Sequence, residues 1–149
     1  MNTLTDSFTS EFTVDRTPEE VFAAVTDVRA WFSKTITGDS AAVGDEFSFV
    51  DQGITSSRIR VTEAVPGRRV VWHVEDAYLA FIDEHDEWTG TTMTFEIIPA
   101  GDRTVLRFTH HGLTPDRACY QDCSLGWNGC VNTSLKDLIT TGTGRPITA

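Results

Sequence analysis

Phe8, Ser10, Phe12 and Val14 alternate with Thr9, Glu11, Thr13 and Asp15, the two-residue period of a strand with one buried face. Thr17-Pro18-Glu19-Glu20 follows and predicts a helix start. Thr17 suits a cap, Pro18 suits the first helical position, and Glu20 is placed to close a capping box. Val21, Phe22 and Val25 then make a short apolar stripe, which Val28, Trp31 and Phe32 carry into a second short helix. From 44 to 111 the period returns to two. Phe47 and Phe49, Ile59 and Val61, Val70, Trp72 and Val74, Met93, Phe95 and Ile97, and Leu106, Phe108 and His110 each alternate with a largely polar set. Pro66-Gly67 and Pro99-Ala100-Gly101-Asp102 supply turns. This is the pattern of an antiparallel meander that buries one side and leaves the other wet.

The last predicted element runs from 115 to about 138. Laid out at about 100° per residue, Tyr120, Trp127, Val131 and Leu138 fall on one line, flanked by Cys123, Ser124, Cys130 and Ser134. Protein interiors fill to crystal-like density. A face of a few large anchors and several small groups therefore predicts a helix that leaves a gap against the sheet. The expected architecture is α+β: a curved antiparallel sheet of about six strands, with two short helices and one long C-terminal helix around a cavity. Phe12, Phe47, Trp72, Phe95, Phe108, Tyr120, Cys123 and Trp127 are expected to line it, with His110 as a polar contact. Pockets of this kind are apolar with a few polar groups.

At 149 residues the chain is expected to form one domain, 1–149, with a flexible tail over 142–149. Acidic residues outnumber basic ones 22 to 12, a formal charge of −10. With no basic stripe to offset it, that charge argues against a nucleic-acid partner. No apolar run approaches membrane-spanning length. Cys119, Cys123 and Cys130 make an odd count within one predicted helix, which excludes a disulfide framework and points to a cytoplasmic location.

The order of elements resembles the helix-grip fold of the START-like superfamily (SRPBCC). Phe12-Thr13-Val14-Asp15 with Thr17-Pro18-Glu19-Glu20-Val21-Phe22 is similar to that superfamily's opening. Three further stretches resemble its branch of heat-shock-chaperone ATPase activator homologues (AHSA-type): Glu87-Trp88-Thr89-Gly90-Thr91, the run from Thr104 through Phe108 and His110 to Gly112, and Gly126-Trp127 followed by Ser134-Leu135-Lys136. The resemblance covers residues 7 to 146. It implies the fold, and a small-molecule binding domain that holds a hydrophobic or lipid-like ligand in an internal cavity.

Candidate chemistry is sparse. His110 should point inward beside the last helix, as an acid/base in the pocket or as a buried, hydrogen-bonded histidine closing the strand. The cysteines lack paired C-x-x-C spacing, so no metal site is expected and no cofactor is called for. Asp83-Glu84-His85-Asp86-Glu87 lacks the glycine and oxygen pattern of a calcium loop and reads as a solvated acidic run. Tyr78, Leu79, Phe81 and Ile82 are apolar without clean alternation, which leaves a lid, a short buried helix or a homodimer patch open. Arg58, Arg60, His73 and Glu75 should share the outer sheet face as charge pairs. No Ser-His-Asp order, phosphate loop or H-E-x-x-H is present. Two alternatives to a binding domain stay open. One is a cyclase- or dehydratase-type enzyme in which His110 or Tyr120 moves a proton; the other is a chaperone-associated or dimeric stress-response protein.

Overall fold

The alternating segments become strands because each can bury one face while its backbone groups pair laterally. In the computed structural model, which describes residues 7–51, 55–80, 83 and 85–146, these are β1 (Phe8–Val14), β3 (Glu46–Asp51), β4 (Thr55–Val65), β5 (Arg69–Leu79), β6 (Thr92–Ala100) and β7 (Arg103–His111). A seventh strand, β2 (Thr37–Gly38), corrects the expected six. Two exposed residues are too short to display alternation, and Gly38 takes a left-handed φ of 98° against the Glu46 carbonyl. The sheet is antiparallel with order β1-β7-β6-β5-β4-β3-β2, so the first strand closes beside the last. Irregular pairing between β4 and β5, at Arg58/Ile59 and Val61/Glu63, marks bulges, which bend and twist a sheet.

Between β1 and β2 lie α1 (Pro18–Thr26) and α2 (Val28–Trp31). The capping box forms as its residue types require: the Glu20 amide donates to Thr17 Oγ1 at 3.1 Å, and the Thr17 amide to Glu20 Oε1 at 3.2 Å. The outer face carries the expected charge pairs. Arg60 reaches Glu46 at 2.5 Å and Glu75 at 3.1 Å, and Arg107 reaches Glu11 at 2.8 Å and Glu96 at 3.4 Å. Exposed pairs of this sort stabilise little, but they show which face is wet.

The C-terminal helix starts later than its apolar pattern implies. Residues 115–119 form turns, and helix runs as α3 (Tyr120–Trp127), a π-helical segment (Asn128–Leu135) and α4 (Lys136–Thr141). The start is set from outside the helix. The Glu87 carboxylate accepts the Ala118 and Cys119 amides at 3.0 and 3.1 Å, satisfying donors that a helix beginning leaves free. Gly142, at φ 87°, ends α4.

The inward face also differs from the predicted line. Cys119, Cys123, Trp127, Val131, Leu135 and Ile139 are buried, each four residues after the last, whereas Tyr120 and Leu138 are half-buried. In a regular α-helix a four-residue step overshoots a full turn by about 40°, so five steps drift by about 200°. The π segment winds more residues into each turn and returns the face to the sheet. Small residues do face inward: Ser134 is buried, and its hydroxyl donates to the Trp31 carbonyl at 2.7 Å while accepting the Arg145 amide at 2.7 Å. Residues 142–146 run back past α2, where a Cβ on Gly144 would collide with the Ala30 carbonyl. Among the described residues no helix is long and apolar enough to cross a membrane.

Candidate functional site

Inward positions on β3, β5, β6 and β7 place Phe47, Trp72, Phe95 and Phe108 side by side beneath the last helix. Their rings touch in sequence, with centroid separations of 5.1 Å (Phe47–Trp72), 4.7 Å (Trp72–Phe95) and 5.0 Å (Phe95–Phe108). Trp127 completes the row from above, 4.6 Å from Phe108. Six of the nine predicted site residues thus converge: these five and His110, whose ring lies 5.9 Å from Trp127. Cys123 is buried one turn before Trp127. Phe12 and Tyr120 stand apart from the ring row. Phe12 lies on β1 with Lys136 Nζ 6.0 Å from its ring centre, and Tyr120 is half-buried at the start of α3.

Four aromatic residues outside the predicted set, Trp31, Phe32, Phe49 and Trp88, belong to the same array. Phe32, just after α2, is its hub, stacked on Trp31 (5.6 Å), Phe49 (4.6 Å), Trp72 (6.2 Å) and Trp127 (5.5 Å). Trp31 stacks on Trp72 with planes 13° apart, and Trp88 on Trp127 with planes 10° apart. The apolar stripe of α2 signalled that Trp31 and Phe32 are buried, but nothing local placed them over Trp72. The centre between sheet and helix is therefore furnished with near-parallel rings.

His110 is fully buried and bonded at both nitrogens. Trp127 Nε1 donates to Nδ1 at 3.1 Å, and an indole N–H can only donate, so the ring proton sits on Nε2. Nε2 then donates to Thr91 Oγ1 at 2.8 Å, and the Thr91 hydroxyl donates onward to the Trp88 carbonyl at 2.6 Å. Burial, assisted by neighbouring His111, pushes the His110 pKa down to about 3. The imidazole is neutral at physiological pH and holds Trp127 in place.

One turn apart at the start of α3, Cys119 and Cys123 are joined by the Cys123 amide donating to the Cys119 carbonyl at 2.8 Å, and their thiols interact. The thiol–thiol interaction raises the Cys119 thiol, with burial and Glu87 adding to the effect; it holds Cys123 below the ordinary thiol range, against burial and with help from the Trp88 indole. Among the described residues no group of three or more His, Cys, Asp or Glu is arranged to hold a metal ion.

Several buried polar atoms lack a hydrogen-bond partner: Ser57 Oγ, Trp72 Nε1 and Ser124 Oγ. Phe81, Ile82 and Glu84 lie outside the described residues. Tyr78, next to last in β5, is exposed and stacks on His85 at 4.5 Å. A surface groove of about 530 Å³ between α1 and α4, lined by Arg16, Glu20, Ala24, Asp27, Leu138 and Thr141 among others, contains no aromatic ring.

Comparison with known proteins agrees with this geometry. The chain is similar to the Aha1 dimer of Colwellia psychrerythraea, with 24% identity and a TM-score of 0.73, covering 93% of this chain and 98% of that one. It is similar to DynU16, a protein of the dynemicin biosynthetic locus, with 18% identity and a TM-score of 0.68, covering 93% of this chain and 49% of that one. CalU16 of Micromonospora echinospora matches with 20% identity and a TM-score of 0.63, covering 91% of this chain and 76% of that one. These likenesses establish the helix-grip α+β fold. No curated protein matches the chain. The sequence model described as "Activator of Hsp90 ATPase homolog 1-like protein" matches residues 15–140.

Proposed function

The chain belongs to the activator of Hsp90 ATPase homolog 1-like family, and on that footing we propose that it is a binding domain for a flat, hydrophobic small molecule held between the sheet and the C-terminal helix. One observation carries this reading. A run of near-parallel rings (Trp72, Trp31, Phe32, Trp127 and Trp88) passes through the core, among its buried valines, leucines and isoleucines. A planar ligand enters such an array by taking the place of one ring-to-ring contact, gaining stacking on both faces. The π-helical segment above the rings supports this, since π turns are rare and recur at functional sites. The DynU16 likeness is consistent with a scaffold for small molecules.

Binding is favoured over catalysis because His110 has both nitrogens committed to protein partners. A cyclase- or dehydratase-type step would need a proton donor facing the ligand. The three cysteines, none of them in a disulfide, support a cytoplasmic location.

Titration with 1-aminoanthracene, an uncharged three-ring fluorophore, tests the reading. Saturation at one molecule per chain, with a melting temperature that climbs with probe concentration, is expected. Ligand at about 100 times its Kd adds about 2.7 kcal/mol of stability. An unsaturable signal with an unmoved melting temperature sinks the proposal.

Self-association is a second reading, favoured by the dimer of the Colwellia protein and by Leu125, 71% exposed on α3. Light scattering on the eluted protein should give twice the monomer mass, reduced to one by Leu125→Glu. A monomer at all concentrations removes it.

A further inference from the structure

Two of the four tryptophans of this chain donate their indole proton to a protein acceptor. Trp31 Nε1 donates to the Val25 carbonyl at 3.2 Å, and Trp127 Nε1 to His110 Nδ1 at 3.1 Å. Trp72 is as deeply buried as Trp31, with no exposed surface, yet its Nε1 has no partner. Its ring neighbours are Trp31, Phe32, Phe47 and Phe95, whose carbon faces offer no lone pair. A buried donor left unpaired costs about 1–3 kcal/mol, and native proteins pair nearly all such groups. An indole nitrogen donates and never accepts, so whatever satisfies it must present a lone pair.

Charge narrows the chemistry further. Among the described residues, the buried polar ones are serines, threonines and His110, with no lysine, arginine or carboxylate. His110 is neutral. A ligand anion would lie in the interior without a counter-ion, and an unpaired buried charge is far costlier than an unpaired dipole. A ligand cation would meet the positive end of the indole N–H dipole.

Resting on the binding reading above, we propose that the site takes an uncharged, planar molecule carrying a carbonyl-type oxygen, and that this oxygen accepts the Trp72 Nε1 proton. Trp72 is then a specificity-determining residue, since a site built around a donor discriminates against analogues lacking the acceptor.

Three flat probes built on one ring system separate the terms: 9-fluorenone, its parent hydrocarbon fluorene, and 9-fluorenone-2-carboxylate. The expected order on the wild-type chain is fluorenone about tenfold tighter than fluorene, the factor that about 1.4 kcal/mol supplies, with the carboxylate weakest. In Trp72→Phe the fluorenone advantage should collapse towards one while fluorene binding stays within about twofold. If that variant fails to fold, the ¹H–¹⁵N spectrum of wild-type indole groups gives the same answer. Fluorenone should move the Trp72 Nε1 resonance downfield and fluorene should not. Equal binding of fluorenone and fluorene, or a Trp72 resonance that ignores the carbonyl, overturns the acceptor proposal and leaves the binding domain standing. Tightest binding by the carboxylate overturns the claim of an uncharged ligand. Failure of every flat probe, 1-aminoanthracene included, removes the binding reading itself and this inference with it.

Discussion

At the scale of single residues, the interior is organised by which polar groups find partners. His110 is the centre of a relay that runs from the Trp127 indole through the imidazole and Thr91 to the Trp88 carbonyl. Each member has one orientation that works, because the indole only donates and thereby fixes the tautomer. Trp127→Phe keeps an aromatic ring over Phe108 but orphans His110 Nδ1. A loss of about 1–3 kcal/mol is expected from urea unfolding; a loss within error would mean that the Trp127–His110 bond contributes nothing. The inward direction of His110 was legible from its alternation with Phe108 and Leu106. Its partners were not, since Thr91 and Trp127 are 19 and 17 residues away and meet it only through pairing of β6 with β7 and docking of α3.

Among the elements, the C-terminal helix carries the most information. Its buried positions recur every four residues, a spacing that a regular α-helix cannot keep against a flat partner over twenty residues, and the π segment absorbs the difference. That segment was invisible to a reading at about 100° per residue, which assigned Tyr120 and Leu138 to a face that Cys119 and Ile139 occupy. Gly126 and Gly129 sit on its outer side, where an added Cβ would meet nothing within 4 Å. Gly126→Ala and Gly129→Ala should each raise stability by about 0.5–1 kcal/mol, since alanine replaces glycine's conformational freedom without a clash. A drop in the denaturation midpoint for Gly129→Ala would instead show that the π turns need glycine's backbone. By contrast, α1 was legible to its cap, because a capping box is a contract between residues three apart.

On the scale of the whole molecule, pH sets stability through the buried imidazole. Unfolding returns His110 from a pKa of about 3 towards the ordinary 6.5. Above that value both states are neutral and the group has no effect. As pH falls below it, the unfolded chain takes up a proton that the folded one refuses, so stability declines progressively down to about pH 3. The ceiling is about 5 kcal/mol, at about 1.4 kcal/mol per unit of pKa difference. Glu46 and Asp116, both held below the usual carboxylate range by a hydrogen bond, to Arg60 and Thr114 respectively, push in the same direction. Guanidinium midpoints at pH 7, 5.5 and 4 should therefore fall in that order, and His110→Gln should flatten the decline. An equal slope in the variant would show that the carboxylates alone carry it.

The alternation of apolar and polar residues was enough by itself to determine six of the strands, both short helices, the wet and dry faces and the inward rings of Phe47, Trp72, Phe95, Phe108 and Trp127. These follow from periods of two and of about 3.6, which are properties of neighbouring positions. Only the tertiary structure decided the short strand at Thr37–Gly38, the late start of α3 under Glu87, the π turns, the placement of Trp31, Phe32 and Trp88 on the ring array, and which tryptophans end without a partner. Each of those depends on groups distant in the chain being brought within about 3 to 6 Å. Strand register and helix docking settle such distances for the molecule as a whole, and no local window of residues contains them.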